Sequence, residues 1–344
     1  MRKLEVTTLL ESLRGRLKDR DFVAVLNLPG ANVCEKRGEY VKLPDGSVSQ
    51  ACRDCITQKL PLTGRMSQDE IMEAIDWFAK NYDTRIITVN GRGNPFHPLL
   101  KEETLLKIHH AGKLGMKAYV FTASDNLDEE LCKELADTGT NVMISLYGNK
   151  FIDAGFFSGK EYAPAPAKGL QDEAAIANRL RLLTKAYKES SNQPPEGTTR
   201  LAMNYVVGES DLRDESKLRD LSTAASENNV FFVCNTPFVR NKSLEIQNAL
   251  EELAAQYTHF HLSHSTAVDG QCQMGAGASA TVDYNGALYR CPYFAGGGDG
   301  NFLELSDAQR RTIVGKYLND RNYACVMRRT PLKQLMGIKG LQSN

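Results

Sequence analysis

Three cysteines near the N-terminus, Cys34, Cys52 and Cys55, are separated by 17 and then two residues. They directly follow a short apolar run, Phe22–Leu28. Thiolates are soft ligands, suited to zinc, copper(I) or iron–sulfur clusters. Three of them can hold three irons of a cubane cluster and leave the fourth open to a chelating ligand, through which an electron can pass. Read alone, Cys52 and Cys55 are also half of a structural zinc site, which Cys34 and one more ligand would complete. A second set comprises Cys272, Cys291 and Cys325. Thirteen residues separate Cys272 from Gly286, and four separate Gly286 from Cys291. The segment Asp283-Tyr284-Asn285-Gly286 carries an Asn-Gly turn that predicts a hairpin bringing Cys272 and Cys291 together. The plainer reading of the second set is buried core cysteines.

Two cysteines remain. Cys132 falls in a helical pattern, off its leucine face, and reads as structural or solvent-facing. Cys234 ends a strand candidate, where a thiol could give a hydrogen atom to a substrate radical; a packed strand cysteine, or a ligand to the second set, is the alternative. His259, His261 and His264 could mimic a metal triad, but read better as a polar rim or substrate contact. The glycine run Gly296–Gly298 lacks the Lys-Ser/Thr of a phosphate loop and is a connector.

Between residues 22 and 256, β-branched runs alternate with segments of helical period, the pattern of a parallel sheet built from βα units. The strand candidates are Phe22–Leu28, Arg85–Val89, Met116–Thr122, Asn141–Leu146, Leu201–Val207 and Val230–Cys234. Ser67 and Glu70 form a capping box ahead of a helix running to about Tyr82. Leu127, Leu131 and Leu135 mark another helix, which Gly139 closes. Asp172–Glu189, Leu212–Ser226 and Leu244–Tyr257 read as further helices. Six units are too few for a closed eight-stranded barrel, leaving a partial barrel or an open doubly wound sheet. In both, loops after the strand C-termini carry the chemistry. After about His259 the pattern changes to short strands and glycine-rich turns.

Lys plus Arg and Asp plus Glu each number 42, so no net charge is available to hold a phosphate backbone, and nucleic acid is not an expected partner. Met1–Asp21 interleaves basic residues with leucine and reads as an amphipathic helix rather than a signal peptide. No apolar run approaches the roughly 20 residues needed to span a bilayer. The expectation is a cytoplasmic protein with no membrane partner, whose thiols stay reduced.

Taken together, the first cysteine set, its place after strand one and the loops that follow resemble the radical S-adenosylmethionine (SAM) superfamily over residues 20 to 330. Asn90-Gly91-Arg92-Gly93-Asn94-Pro95 is similar to the family's Gly-Gly-Glu-Pro segment, which binds the SAM amino group. Phe121-Thr122-Ala123-Ser124 stands in the place of the Thr-Asn-Gly turn. Leu127–Gly139 and Val142–Leu146 resemble the helix, glycine and serine-bearing strand that reach SAM. The resemblance implies an α/β fold, a partial (β/α)6 barrel with a small C-terminal auxiliary-cluster domain. It divides the chain into a helix at 1–20, a barrel at 21–258 and a twitch-like domain at 259–344. It implies a [4Fe-4S] cluster on Cys34, Cys52 and Cys55 that cleaves SAM to a 5′-deoxyadenosyl radical. A second, auxiliary [4Fe-4S] cluster would sit on Cys272, Cys291 and Cys325. By the same analogy Gly93, Asn94, Thr122, Ser145, Asn204 and Asn235 face SAM, and the electron donor is a flavodoxin or ferredoxin. The chain departs from the family in its long first spacing, in Asn94 where an acid is usual, and in Asp54 where an aromatic is usual.

With about 20 residues ahead of strand one, the N-terminal peptide-recognition domain of many peptide maturases is not expected. The expected substrate is a small polar molecule, sugar- or aminocyclitol-like, with Arg92, Tyr147 and Arg240 as candidate contacts. The reaction is epimerisation, with Cys234 as hydrogen-atom donor, or dehydrogenation of an alcohol. Peptide modification and a non-catalytic zinc protein are the alternatives.

Overall fold

The computed structural model describes residues 3–13, 15–16, 19, 21–42, 46–50, 52, 55, 64–90, 92–146, 153–163, 168–207, 211–212, 215–235, 248–253, 255–256, 261–262, 279–290 and 298–319. Its main sheet begins with β1 (Val25–Asn27), β2 (Ile86–Val89), β3 (Lys117–Thr122), β4 (Asn141–Ser145), β5 (Leu201–Val206) and β6 (Val230–Asn235). Three short strands follow: β7 (His261–Leu262), β8 (Ser279–Val282) and β9 (Leu288–Tyr289). Among the described residues the longer helices are α1 (Glu5–Ser12), α2 (Gln68–Tyr82), α3 (Lys101–Lys113), α4 (Glu129–Asp137), α5 (Glu173–Glu189), α6 (Glu215–Glu227) and α7 (Asp307–Asn319), with shorter helical pieces at Gly155–Ser158 and 248–253.

Strands β1 to β6 lie side by side in chain order and all parallel. That order decides between the two geometries left open by the sequence. A doubly wound sheet reverses strand order at a switch point, whereas unbroken right-handed crossovers put every helix on one face. The other face must then be buried by curling, which gives a partial barrel. Its edges stay apart: β7 extends the sheet beyond β6, while β8 pairs parallel with β1 and antiparallel with β9.

Strand alternation divides the core in two. Leu26, Ile87, Val89, Val120, Ile144, Met203 and Phe232 pack with Phe78, Ile108, Leu131, Leu180 and Leu221 from the helices. The intervening residues Val25, Ile86, Met143, Ala202 and Val233 face inward, where Leu4 and Val6 join them. The N-terminal segment thus plugs one end of the barrel. Lys3–Leu4 pairs in parallel with Thr198–Thr199, and α1 follows. This helix is shorter than Met1–Asp21 suggests: Leu13 caps it, and Gly15, a poor helix former, lies just beyond.

The plug is fastened by Glu5. Arg200 donates to it through Nε at 2.7 Å, Lys117 lies at 3.1 Å and the Asn141 amide donates at 3.2 Å. Local signals elsewhere are as expected. Ser67 and Glu70 make a reciprocal capping box on α2, Asp172 caps α5 and Gly139 turns the chain after α4 at φ +67.

Arg200→Ala should destabilise the fold. Breaking a buried ion pair costs about 3–5 kcal/mol, and the lower end applies because Lys117 remains beside Glu5. A urea-denaturation midpoint reads the change. Burial opposes the Glu5 charge, but Arg200 and Lys117 outweigh it and hold the carboxyl below its ordinary range. Its contribution is therefore complete at neutral pH and is lost as pH falls through that lowered value.

Candidate functional site

The open mouth lies at the C-terminal ends of β1 to β6. Cys34 follows β1 and stands just ahead of a short 3-10 turn at Glu35–Arg37. The 17 residues between Cys34 and Cys52 form an antiparallel hairpin, Tyr40–Lys42 against Val48–Gln50. A hairpin returns its ends to one place, so a long gap in sequence becomes a short one in space. Cys52 takes φ +53, which is costly for a residue with a side chain, and its carbonyl accepts from the Cys55 N–H at 2.8 Å. This tight turn sets Cys52 and Cys55 side by side.

The three thiols act electrostatically on one another. Burial, chiefly, pushes both Cys34 and Cys52 up to about 12, and neighbouring thiols and Asp125 add to the rise. Without a metal they hold their protons, and metal binding would release them. Among the described residues no set of three acidic, His or Cys side chains is drawn tightly enough around one point to hold a single ion.

Glu35, next to Cys34, binds the neighbouring loops. Its carboxylate accepts from the Asn94 amide at 2.9 Å, after β2, and from the Asn126 amide, after β3. Thr122 donates to Asn94 Oδ1 at 3.0 Å and accepts from the Ser124 N–H at 3.1 Å. Lys36 is almost fully buried and pairs with Asp125 at 3.0 Å and Glu39 at 2.8 Å; Arg179 reaches Asp125 at 3.2 Å. Burial opposes the Lys36 charge, but these acids outweigh it and raise its affinity for the proton. Asp125 is raised by burial, against the pull of Lys36.

The turn after β3 is strained, with Ser124 at φ +69 and Asn126 at φ +61. Ser124 Oγ and Asp125 Oδ2 are buried without a hydrogen-bond partner. Gly93 makes the closest approach in the site. At φ +54, a Cβ there would stand 2.3 Å from the Val33 carbonyl and 2.6 Å from that of Ala31. The next residue, Asn94, donates its N–H to Val33 at 2.7 Å.

The other predicted residues separate by face. Ser145 and Asn204 are register partners on adjacent strands. Both fall on the inward parity of Met143 and Ala202, half-buried at the mouth. Asn235 has the same parity on β6, beside Val206. Cys234 does not. It alternates with Phe232 toward the helices, is fully buried in the helix-side core, and burial raises its thiol well above the ordinary value. A hydrogen-atom donor must reach the mouth; strand parity turns Cys234 away from it, and that role is withdrawn. Thr122 shares the helix-side parity of Val120 and serves the turn. Arg92 is engaged by Asp283 in a two-bond ion pair, at 2.9 and 2.8 Å, instead of being held ready for a substrate.

Tyr147, Arg240, Cys272, Cys291 and Cys325 lie outside the described residues, as do His259 and His264. The hairpin expected between Cys272 and Cys291 is present as β8–β9, with Gly286 at φ +84. Sequence reasoning missed Glu35, Asn126, Lys36 and Asp125. It also missed Asn27, an inward residue of β1 whose amide accepts from Thr88 at 2.5 Å and donates to the Ala280 carbonyl at 3.1 Å. Its parity with Val25 was the available signal.

No family model matches the chain, and no curated protein matches it. Solved structures do. Streptococcus suis SuiB bound to S-adenosylmethionine aligns with a TM-score of 0.56 at 11% identity, covering 93% of this chain and 72% of its own. Native anSMEcpe with bound AdoMet aligns with a TM-score of 0.54 at 14% identity, covering 89% and 82%. SuiB has also been solved with the precursor peptide SuiA, and anSMEcpe with the Cp18Cys peptide. The chain therefore has the radical SAM fold, a partial barrel of parallel strands. Among the described residues no helix is long and apolar enough to cross a membrane.

Gly93→Ala should push apart the first two loops, since the colliding atoms are backbone. Overpacking of this kind costs about 1–3 kcal/mol. The melting temperature should fall, and iron retained after reconstitution should fall with it, while Gly112→Ala, inside α3 where a Cβ meets nothing, lowers neither.

Proposed function

We propose that this protein is a radical SAM enzyme that takes a hydrogen atom from a small polar substrate and oxidises an alcohol carbon. The observation that carries it is the convergence of three thiols at the mouth of this barrel, framed by Gly93, Glu35 and the oxygens Ser124 Oγ and Asp125 Oδ2, which have no partner among the described residues. The donor set fits a cluster with one open iron: Cys34, Cys52 and Cys55 would hold three irons. When bound, the cluster and SAM supply a carbon radical able to abstract hydrogen.

The chain's own residues do the positioning. Ser145 and Asn204 offer hydroxyl and amide groups on the inner face, where a polar ligand can be oriented. Glu35, held by neutral amides, keeps a negative charge beside the thiols, suited to an ammonium group. The apolar inward residues behind them, with Leu4 and Val6, exclude water from below.

Abstraction of the C–H hydrogen leaves a substrate radical. Loss of the hydroxyl proton to a base and of one electron to an acceptor then gives the ketone. Cys272, Cys291 and Cys325 supply the ligands for an auxiliary cluster as that acceptor, and a flavodoxin or ferredoxin is the external electron donor. Dehydrogenation takes precedence over epimerisation because Cys234 faces the helices. Peptide modification is the second reading, favoured by the peptides bound to SuiB and anSMEcpe.

Anaerobic reconstitution, then SAM and dithionite, tests the central reading. The expected result is a brown protein that forms 5′-deoxyadenosine. About eight irons per chain should bind, the content of two cubanes. The triple variant Cys34→Ala, Cys52→Ala, Cys55→Ala should lose that product and about half of the iron. A colourless, zinc-loaded protein that leaves SAM intact after reconstitution overturns the proposal.

A further inference from the structure

We propose that the Arg92–Asp283 ion pair, together with Tyr284, is a positioning clamp through which the β8–β9 hairpin sets the spacing of the two loops that frame the first cysteine site. Its consequence for SAM rests on the radical SAM reading; its geometry does not.

Arg92 donates Nε to Asp283 Oδ1 at 2.9 Å and Nη2 to Oδ2 at 2.8 Å, with the two side chains only 5% and 3% exposed. Two parallel bonds fix direction as well as distance, which a lysine cannot do. Asp283 is itself held rigidly. Its N–H donates to the Ala287 carbonyl, its carbonyl accepts from Gly286, and its carboxylate accepts from the Tyr284 N–H at 2.9 Å. It is a fixed post on the hairpin.

From that post the contact spreads both ways. On the loop side the next residue is Gly93, pressed against the Ala31 and Val33 carbonyls. On the hairpin side the next residue is Tyr284, whose ring packs in one cluster with Ala31, Val33 and Leu100 and lies 5.8 Å from the Arg92 guanidinium. The Tyr284 carbonyl also accepts from the Met66 N–H at 2.8 Å. Segments 31–33, 64–66 and 92–94 thus meet on two hairpin residues. The first of these leads into Cys34, and the second resumes the chain after Cys55.

Buried Lys107 completes the arrangement. It donates to the Leu28 carbonyl at 3.1 Å, pairs with Glu103 at 2.6 Å and acts electrostatically on Asp283. A buried ion pair is a weak source of stability compared with apolar packing, so its attested use is to fix register. Here the register is that of the loop carrying Gly93 and Asn94.

The test uses the full reconstituted chain with Asp283→Asn and, as a variant that keeps the charge, Arg92→Lys. Hydrogen exchange of peptides covering 31–34 and 92–94, iron content, and the SAM dissociation constant by equilibrium dialysis are measured. Both variants should exchange faster in those two peptides but not in α5, keep the iron of the first site, and bind SAM roughly tenfold more weakly, within the span of coupled sites. Arg200→Ala, which breaks the buried pair with Glu5 at the plugged end of the barrel, controls for general loss of stability and should leave SAM affinity unchanged. Unchanged exchange in both peptides overturns the clamp whether or not SAM binds, and if Asp283→Asn does not fold, Arg92→Lys decides in the same way. Wild-type protein that never binds SAM overturns the radical SAM reading alone.

Discussion

The Glu35 carboxylate is the interaction on which the mouth of this barrel depends. It follows Cys34 directly, and both its oxygens are taken by amides from other loops, Asn94 after β2 and Asn126 after β3. Amides are neutral donors, so they hold the charge in place without cancelling it. Each of the three loops satisfies its polar groups only when the other two are present, and such a network is unforgiving of partial assembly. Gly93 permits the loops to close to backbone contact. Once they close, Ser124 Oγ and Asp125 Oδ2 are buried with no hydrogen-bond partner among the described residues. An unpartnered buried oxygen costs free energy, and it persists here where a ligand would repay it.

The long spacing between Cys34 and Cys52 follows from the same economy of loops. Closing a long insertion costs only slightly more entropy than closing a short one, provided something orders it. The hairpin orders itself by its own ladder, and Tyr40 then pairs with Gly169 and Gln171, ahead of α5. Glu39 accepts from the Gln171 amide at 3.2 Å. The insertion therefore ties the loop after β1 to the segment that follows β4, and the cysteine site is braced across the mouth instead of hanging from one strand.

The strands were legible because each is a short β-branched run, and the helix caps because Ser67, Asp172 and Gly139 carry their own local chemistry. Parallel pairing followed from the alternation of strands and helices, and the resemblance implied the partial barrel; the order of the strands comes from the register, since short apolar runs do not state their neighbours. Helix α3 went unnamed because its face is weakly amphipathic and buries Lys107 and Glu103 as a pair. The Glu35 network joins residues 59 and 91 positions apart, beyond any periodicity. Arg92 looked free for a ligand because its partner, Asp283, is 191 residues away. Cys234 is a different kind of miss: Val230, Phe232 and Cys234 share one parity, and the apolar character of that row already pointed to the helices.

Parity also bears on the chemistry. Among the described residues the inward polar groups toward the mouth include the amides and alcohols of Asn27, Thr88, Ser145, Asn204 and Asn235, and the phenol Tyr119 stands in register with Thr88. Amide N–H and alcohol O–H bonds are too strong to surrender a hydrogen atom to a carbon radical, whereas a thiol S–H or a phenol O–H is weak enough. Inversion of a carbon centre needs that weak bond on the opposite face of the substrate. With Cys234 packed among Phe232 and Tyr205, the described amides and alcohols can orient a radical and accept hydrogen bonds from it but do not return its hydrogen. In the oxidation proposed above such a radical gives up an electron and a proton, and the second cysteine set would take the electron.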